Sequence, residues 1–110
     1  MTTIAVDDKI AGTLSQFGDL QESVNAALQR YTIDQISARI QSLHRKCNEF
    51  ESKYGLKYEV FAKRTAEDEA FVAEVEKSID NLWETDLTDW EFCMKGINDW
   101  TEELKRILLK

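Results

Sequence analysis

The sequence contains no proline, and only four of its 110 residues are glycine. Because proline and glycine interrupt helices and mark turns, their scarcity is typical of an all-α protein with few loops. A single histidine and two cysteines leave no metal-ligand spacing, and no Gly-rich phosphate loop or G-x-S-x-G motif occurs. We therefore predict that the protein is not an enzyme and holds no metal and no cofactor.

Two further absences concern the cell compartment. Met1–Ile10 lacks a basic-then-apolar signal sequence, and no apolar run approaches the roughly 18 residues that a membrane span needs. Cys47 and Cys93 fall on apolar helix seams, where a reduced cysteine acts as a small hydrophobic residue. The sequence predicts a cytoplasmic protein with free thiols and no membrane contact.

Apolar residues recur with three-then-four spacing over two stretches, Ile33–Tyr54 and Trp83–Leu108. This repeat places the side chains along one seam of a helix, and the seam must lie against another helix. The helix that carries the first of these stretches starts at the capping pair Asp19 and Glu22 and ends at Gly55. It spans about 35 residues, or roughly 50 Å. Since a globule of this size is narrower, the helix needs a hairpin partner, a second subunit or both.

The remaining segments are assigned from local patterns. Period-two alternation predicts a short strand over Thr2–Val6, and Asp7 or Asp8 caps a helix that runs to Phe17. After Gly55 we predict a short helical piece, and the charged stretch Lys63–Glu69 predicts a loop.

Apolar spacing resumes at Phe71 and merges into the Trp83–Leu108 seam. The Gly55–Glu69 connection, whether loop or short helix, is long enough for the two long helices to form an antiparallel hairpin. The predicted fold is all-α with one short N-terminal strand, dimeric through the strand and the seams. Its parts are residues 1–35 and a hairpin over residues 36–110.

The N-terminal third resembles the ribbon–helix–helix family in its strand, its V-D-D turn, its short helix and the stretch S-V-N-A-A-L-Q-R-Y at Ser23–Tyr31. In that family two strands pair across a dimer axis and their outward residues read DNA. The resemblance implies a dimer-forming segment with candidate DNA contacts at Thr3, Ala5 and Lys9. These residues lack the bidentate contacts that discriminate bases, so we expect no DNA binding by the chain alone. Binding in a complex that adds positive charge stays open, as does a DNA-binding autorepressor.

A second resemblance lies in K-Y-G-L-K-Y-E-V-F at Lys53–Phe61 and W-E-T-D-L-T-D-W at Trp83–Trp90. These elements are similar to antitoxins of prokaryotic type II toxin–antitoxin pairs. The resemblance implies direct binding and neutralisation of a small toxin. The net charge of −7 favours a basic toxin, although the acidic residues also serve solubility.

Helical geometry refines the candidate partner-binding site. Trp83 and Trp90 share the core seam, whereas Phe92 and Trp100 point elsewhere on the same helix. Large aromatic side chains dominate interface energetics, and complementary charge speeds encounter. The candidate partner-binding residues are Trp100, Phe92, Glu84, Asp86, Asp89, Glu91 and Asp99. A purely structural helical oligomer, dimeric or tetrameric, accounts for the seams equally well.

Overall fold

The computed structural model describes residues 2–109 of the chain. Within this range every regular element is helical, and no β-strand forms. The elements are α1 (Asp8–Leu14), a 3₁₀ turn (Ser15–Phe17), α2 (Leu20–Tyr54), α3 (Tyr58–Glu67), α4 (Glu69–Ser78) and α5 (Trp83–Leu108). The chain divides into a first unit that ends at Gln35 and a second unit that begins at Ile36, so α2 contributes to both.

In the first unit, the helix starts follow local capping chemistry. The Asp7 carboxylate accepts the Lys9 backbone N–H at 2.8 Å and caps α1. The Asp19 carboxylate accepts the Glu22 N–H at 2.9 Å at the start of α2. Each bond satisfies one of the N–H groups that a helix start leaves without a partner.

The expected strand at Thr2–Val6 is not formed in the described chain. A β-strand exists only through a hydrogen-bonded ladder with a second strand, and residues 2–109 supply no such partner. The segment therefore enters α1 without regular secondary structure. A ribbon of two strands requires a second chain.

Residues 2–35 of the first unit do not form a hydrophobic core of their own. None of residues 2–35 is buried. Phe17 is 79% exposed and Tyr31 is 63% exposed. The large apolar side chains exposed in this unit are Ile4, Ile10, Phe17, Leu20, Leu28 and Tyr31.

The second unit has a continuous core drawn from all four of its helices. Its buried members are Cys47 and Tyr54 of α2, Phe61 of α3, Val75 of α4, and Trp90 and Cys93 of α5. Contacts between α2 and α5 occur in reversed order along the chain: Arg39 lies over Trp100, Leu43 over Gly96, Cys47 beside Met94, and Tyr54 beside Asp86. This part of α2 and α5 therefore run antiparallel.

The predicted loop over Lys63–Glu69 is wrong. Helix α3 continues to Glu67 and α4 begins at Glu69, so Asp68 is the one non-helical residue between them. Asp68 caps α4 by accepting the Phe71 N–H at 3.1 Å. Lys, Arg and Glu are good helix formers, and their density here marks an exposed helix face instead of a loop.

The merging of the Phe71 stretch into the last helix is also wrong, because α4 ends at Ser78 and α5 begins at Trp83. Asp80 lies in the break, and its side chain accepts the Leu82 N–H at 2.7 Å. Asp competes with helical backbone bonds through such local contacts. No helix within residues 2–109 has both the length and the apolar character needed to cross a membrane.

Candidate partner-binding site

Trp90 is the centre of the aromatic core, and it is 1% exposed. Its ring lies 5.6 Å from Phe50 and 6.2 Å from Tyr54 on α2, measured between ring centres. Tyr58 and Phe61 of α3 lie 5.6 and 5.8 Å from it. These separations are typical of favourable aromatic pairs. Trp90 therefore belongs to the core, as the seam predicted.

Trp83 also contributes to the core, at its α3–α4 side. Its ring meets Phe61 edge-on at 6.3 Å, and its Nε1–H donates to Glu76 Oε1 at 3.2 Å. Half-buried tryptophan commonly pairs its one polar atom in this way.

A polar network joins the end of α2 to the start of α5. Lys53 Nζ lies 2.6 Å from Asp80 Oδ2 and 2.7 Å from Asp86 Oδ2. The Tyr54 hydroxyl donates to the same Asp86 oxygen at 2.5 Å. We call Lys53, Tyr54, Asp80 and Asp86 the clasp. Its role is structural, because each of these polar groups already has a partner within the chain.

The network changes the ionisation of its members. The bonds to Asp80 and Asp86 raise the pKa of Lys53, while burial and the bond to Asp86 raise the pKa of Tyr54. The Lys53 ammonium and the Leu82 N–H lower the pKa of Asp80. All three shifts favour the protonation states that occur at neutral pH.

The predicted acidic residues fall into two groups. Asp86 is 19% exposed at its side chain and is engaged by Tyr54 and Lys53, so it is not available to a partner in the folded chain. The other four carboxylates are exposed: Glu84, Asp89, Glu91 and Asp99. Sequence spacing alone did not separate Asp86 from its neighbours.

The two predicted aromatic contacts also differ. Phe92 is 69% exposed. Trp100 is half-buried, and the Arg39 guanidinium lies 5.4 Å from its ring centre in a cation–π contact. Phe92 is therefore the more accessible of the two. In the first unit, the predicted DNA contacts Thr3, Ala5 and Lys9 are all exposed.

The second unit contains a groove of about 310 Å³ that spacing arguments did not find. It lies where α2, the start of α3 and α5 meet. Its lining consists of His44, Cys47, Glu51, Lys57, Tyr58, Glu59, Trp90, Met94 and Ile97. The two motifs that carry the antitoxin resemblance meet in it, because Tyr58 belongs to the first motif and Trp90 to the second.

Cys47 lines this groove and Cys93 lies beside it, and both thiols are buried and free. Burial and the neighbouring Cys93 raise the pKa of Cys47, and Cys47 Sγ lies 3.7 Å from the sulfur of Met94. A raised pKa disfavours the nucleophilic thiolate. Within residues 2–109, no group of three or more His, Cys, Asp or Glu side chains is arranged to hold a metal ion.

Comparisons of the chain with protein-family models, with curated proteins and with solved structures found no match. The family resemblances drawn from the sequence motifs therefore stay hypotheses, and the functional argument depends on the geometry of the chain itself.

Proposed function

We propose that the protein is an antitoxin-like binding protein that dimerises through residues 1–35 and neutralises a small basic toxin with its second unit. The observation that carries the proposal is that none of residues 2–35 is buried. Six large apolar side chains are exposed there, and a fully buried side chain of this kind contributes roughly 1.5–3 kcal/mol. Such a surface supports association with another chain.

A second copy is the occupant that we propose for this surface. The strand pattern at Thr2–Val6 needs an antiparallel partner, and a two-fold axis pairs the segment with its own copy. The same axis brings together the exposed faces that carry Phe17 and Leu28. Residues 1–35 hold five carboxylates against two cations, and this balance favours dimerisation over contact with DNA phosphates.

The proposed toxin-binding surface belongs to the second unit. Glu84, Asp89, Glu91 and Asp99 are exposed on α5, and the chain carries a net charge of −7. A field of this sign attracts a basic protein and accelerates its encounter. The two free thiols fit a reducing compartment, so we place the complex in the cytoplasm.

Co-expression tests the toxin-binding part of the proposal. Antitoxins of this kind are usually encoded beside their toxin. The protein is therefore co-expressed with the product of its neighbouring reading frame, and both complex formation and growth of the host cells are measured. A stable complex that restores growth supports an antitoxin. A neighbouring product that is not toxic, or that forms no complex, contradicts that function and leaves a structural oligomer.

Sedimentation velocity tests the dimer separately. Leu28→Glu places a charge in the proposed interface, and we expect it to convert a dimer into a monomer. Val60→Glu is the matched control, because Val60 is 44% exposed in the second unit and Leu28 is 43% exposed in the first. A monomeric wild-type protein, or a Leu28→Glu variant that stays dimeric, contradicts the proposed interface.

A further inference from the structure

We propose that the groove between α2, α3 and α5 binds one large apolar side chain carried by a basic segment of the partner protein. This inference rests on the proposed function, because it names the place where the toxin makes contact. The centre of the proposed partner-binding site then lies at the junction of α2, α3 and α5, and not on the α5 surface that the sequence predicted.

The floor of the groove is apolar. Trp90 and Cys47 form its buried base, and Tyr58, Met94 and Ile97 are half-buried around it. The groove has a volume of about 310 Å³. Because one water molecule occupies roughly 30 Å³, this space is enough for a leucine-sized side chain together with a few waters. Rigid aromatic walls and an adaptable methionine are typical of pockets that receive an anchor residue.

Besides His44, three charged residues line the groove, and the one without an ion pair in the described part of the chain is the acidic Glu59. Lys57 Nζ pairs with Glu51 Oε1 at 2.9 Å, so these two charges offset each other. Glu59 lines the groove, and Glu91 follows Trp90, whose ring centre lies 5.6 Å from that of Tyr58. Neither carboxylate has an ion-pair partner within residues 2–109. Burial raises the pKa of Tyr58, and the charges of Glu91 and Glu59 raise it further, as expected of two carboxylates near its hydroxyl. Charge complementarity therefore favours basic residues next to the apolar anchor.

The alternative surfaces of α5 fit an anchor less well. Phe92 projects from an exposed helix face and is not among the residues that line the groove. The ring of Trp100 already contacts the Arg39 guanidinium, which lies 5.4 Å from the ring centre. Within the described residues the Tyr58 hydroxyl makes no hydrogen bond, so it can donate to a carbonyl of an incoming segment.

Methyl NMR observes this groove directly. The sequence has two methionines, Met1 and Met94, and the second lines the groove. The full chain is labelled at methionine methyl carbons, and Met94→Leu assigns the signal. The probe is a peptide with one leucine between two pairs of arginines, titrated to a few millimolar. We expect a saturable shift of the Met94 signal, absent when the leucine is replaced by alanine or the arginines by glutamates. No shift, or equal shifts with all three peptides, overturns the proposal.

Charge reversal at the rim adds a second test. We expect the double variant Glu59→Lys and Glu91→Lys to bind the peptide about tenfold more weakly. The double variant Glu49→Lys and Glu67→Lys is the matched control, because both residues are exposed, on α2 and α3, and neither lines the groove. Equal affinity of both variants overturns the proposed rim, and unfolding measurements verify that both are folded.

The two proposals fail differently. A toxin complex that forms with the wild type and survives the double charge reversal overturns the groove inference and leaves the antitoxin function standing. A neighbouring product that forms no complex overturns the antitoxin function, whereas the peptide titration still reports on the groove because it uses no toxin.

Discussion

The Tyr54 hydroxyl and the Lys53 ammonium both donate to one oxygen of Asp86, over 2.5 and 2.7 Å. Adjacent residues at the end of α2 therefore hold a single carboxylate at the start of α5. The contact joins positions 32 and 33 residues apart in the chain. It makes Asp86 a structural residue among acidic neighbours that remain exposed.

Asp86→Ala is expected to destabilise the second unit. The substitution leaves the Tyr54 hydroxyl without its acceptor and removes one of the two carboxylates that Lys53 contacts. Loss of a partly buried acceptor costs about 1–3 kcal/mol in the free energy of unfolding. Urea denaturation measures it, with Asp89→Ala as the control, because the exposed Asp89 is expected to change stability by less than about 0.5 kcal/mol. Equal losses of unfolding free energy in the two variants would show that the bonds from Tyr54 and Lys53 to Asp86 do not stabilise the fold.

Stability is expected to fall in acid partly through Asp80. Lys53 and the Leu82 N–H lower the pKa of this carboxyl in the folded chain. A lowered folded pKa stabilises the protein above the unfolded value of about 3.9, and that contribution is lost as the pH falls through the folded pKa. Asp80→Asn is therefore expected to be less stable than wild type at pH near 7, with the difference shrinking below about pH 4. Urea unfolding over this range measures it, and a constant difference would contradict the assignment.

Truncation of two aromatic residues on α5 is expected to change stability by very different amounts. Trp90 is 1% exposed and Phe92 is 69% exposed. Trp90→Ala is expected to cost about 3–5 kcal/mol, and Trp90→Phe less. Phe92→Ala is expected to change stability by less than about 0.5 kcal/mol. Thermal unfolding of the three variants provides the measurement. A large loss for Phe92→Ala would show that another chain covers this side chain.

The turn after α2 depends on a backbone angle that only glycine adopts freely. Gly55 has a φ of 72°, and nothing lies within 4 Å of the position that a Cβ would occupy. The cost of Gly55→Ala therefore comes from the backbone alone, and we expect roughly 1–2 kcal/mol. Gly55→Asn is the informative comparison, because asparagine tolerates the left-handed region, so it should lose less. Chemical denaturation measures the stability of both variants, and a Gly55→Asn variant less stable than Gly55→Ala would contradict this explanation.

Much of the helical structure was predictable because its determinants are local. The caps at Asp7 and Asp19 and the stop at Gly55 depend on bonds within a few residues, and apolar spacing marks the face that each helix buries. The same reasoning placed Trp90 in the core. It misassigned Lys63–Glu69, where charged side chains cover an exposed face of helix and Arg64 lies over the ring of Phe71.

The sequence by itself determined the all-α class, the starts of α1 and α2, the long helix and the acidic character, since capping, periodicity and composition act over short distances. Only the tertiary structure decided which polar residues are available to a partner. Asp86 is already bonded to Tyr54, and Glu91 lies near Tyr58 because α3 packs beside α5. Such pairings depend on how separate helices pack, and no local pattern encodes the position of a neighbour that lies more than thirty residues away.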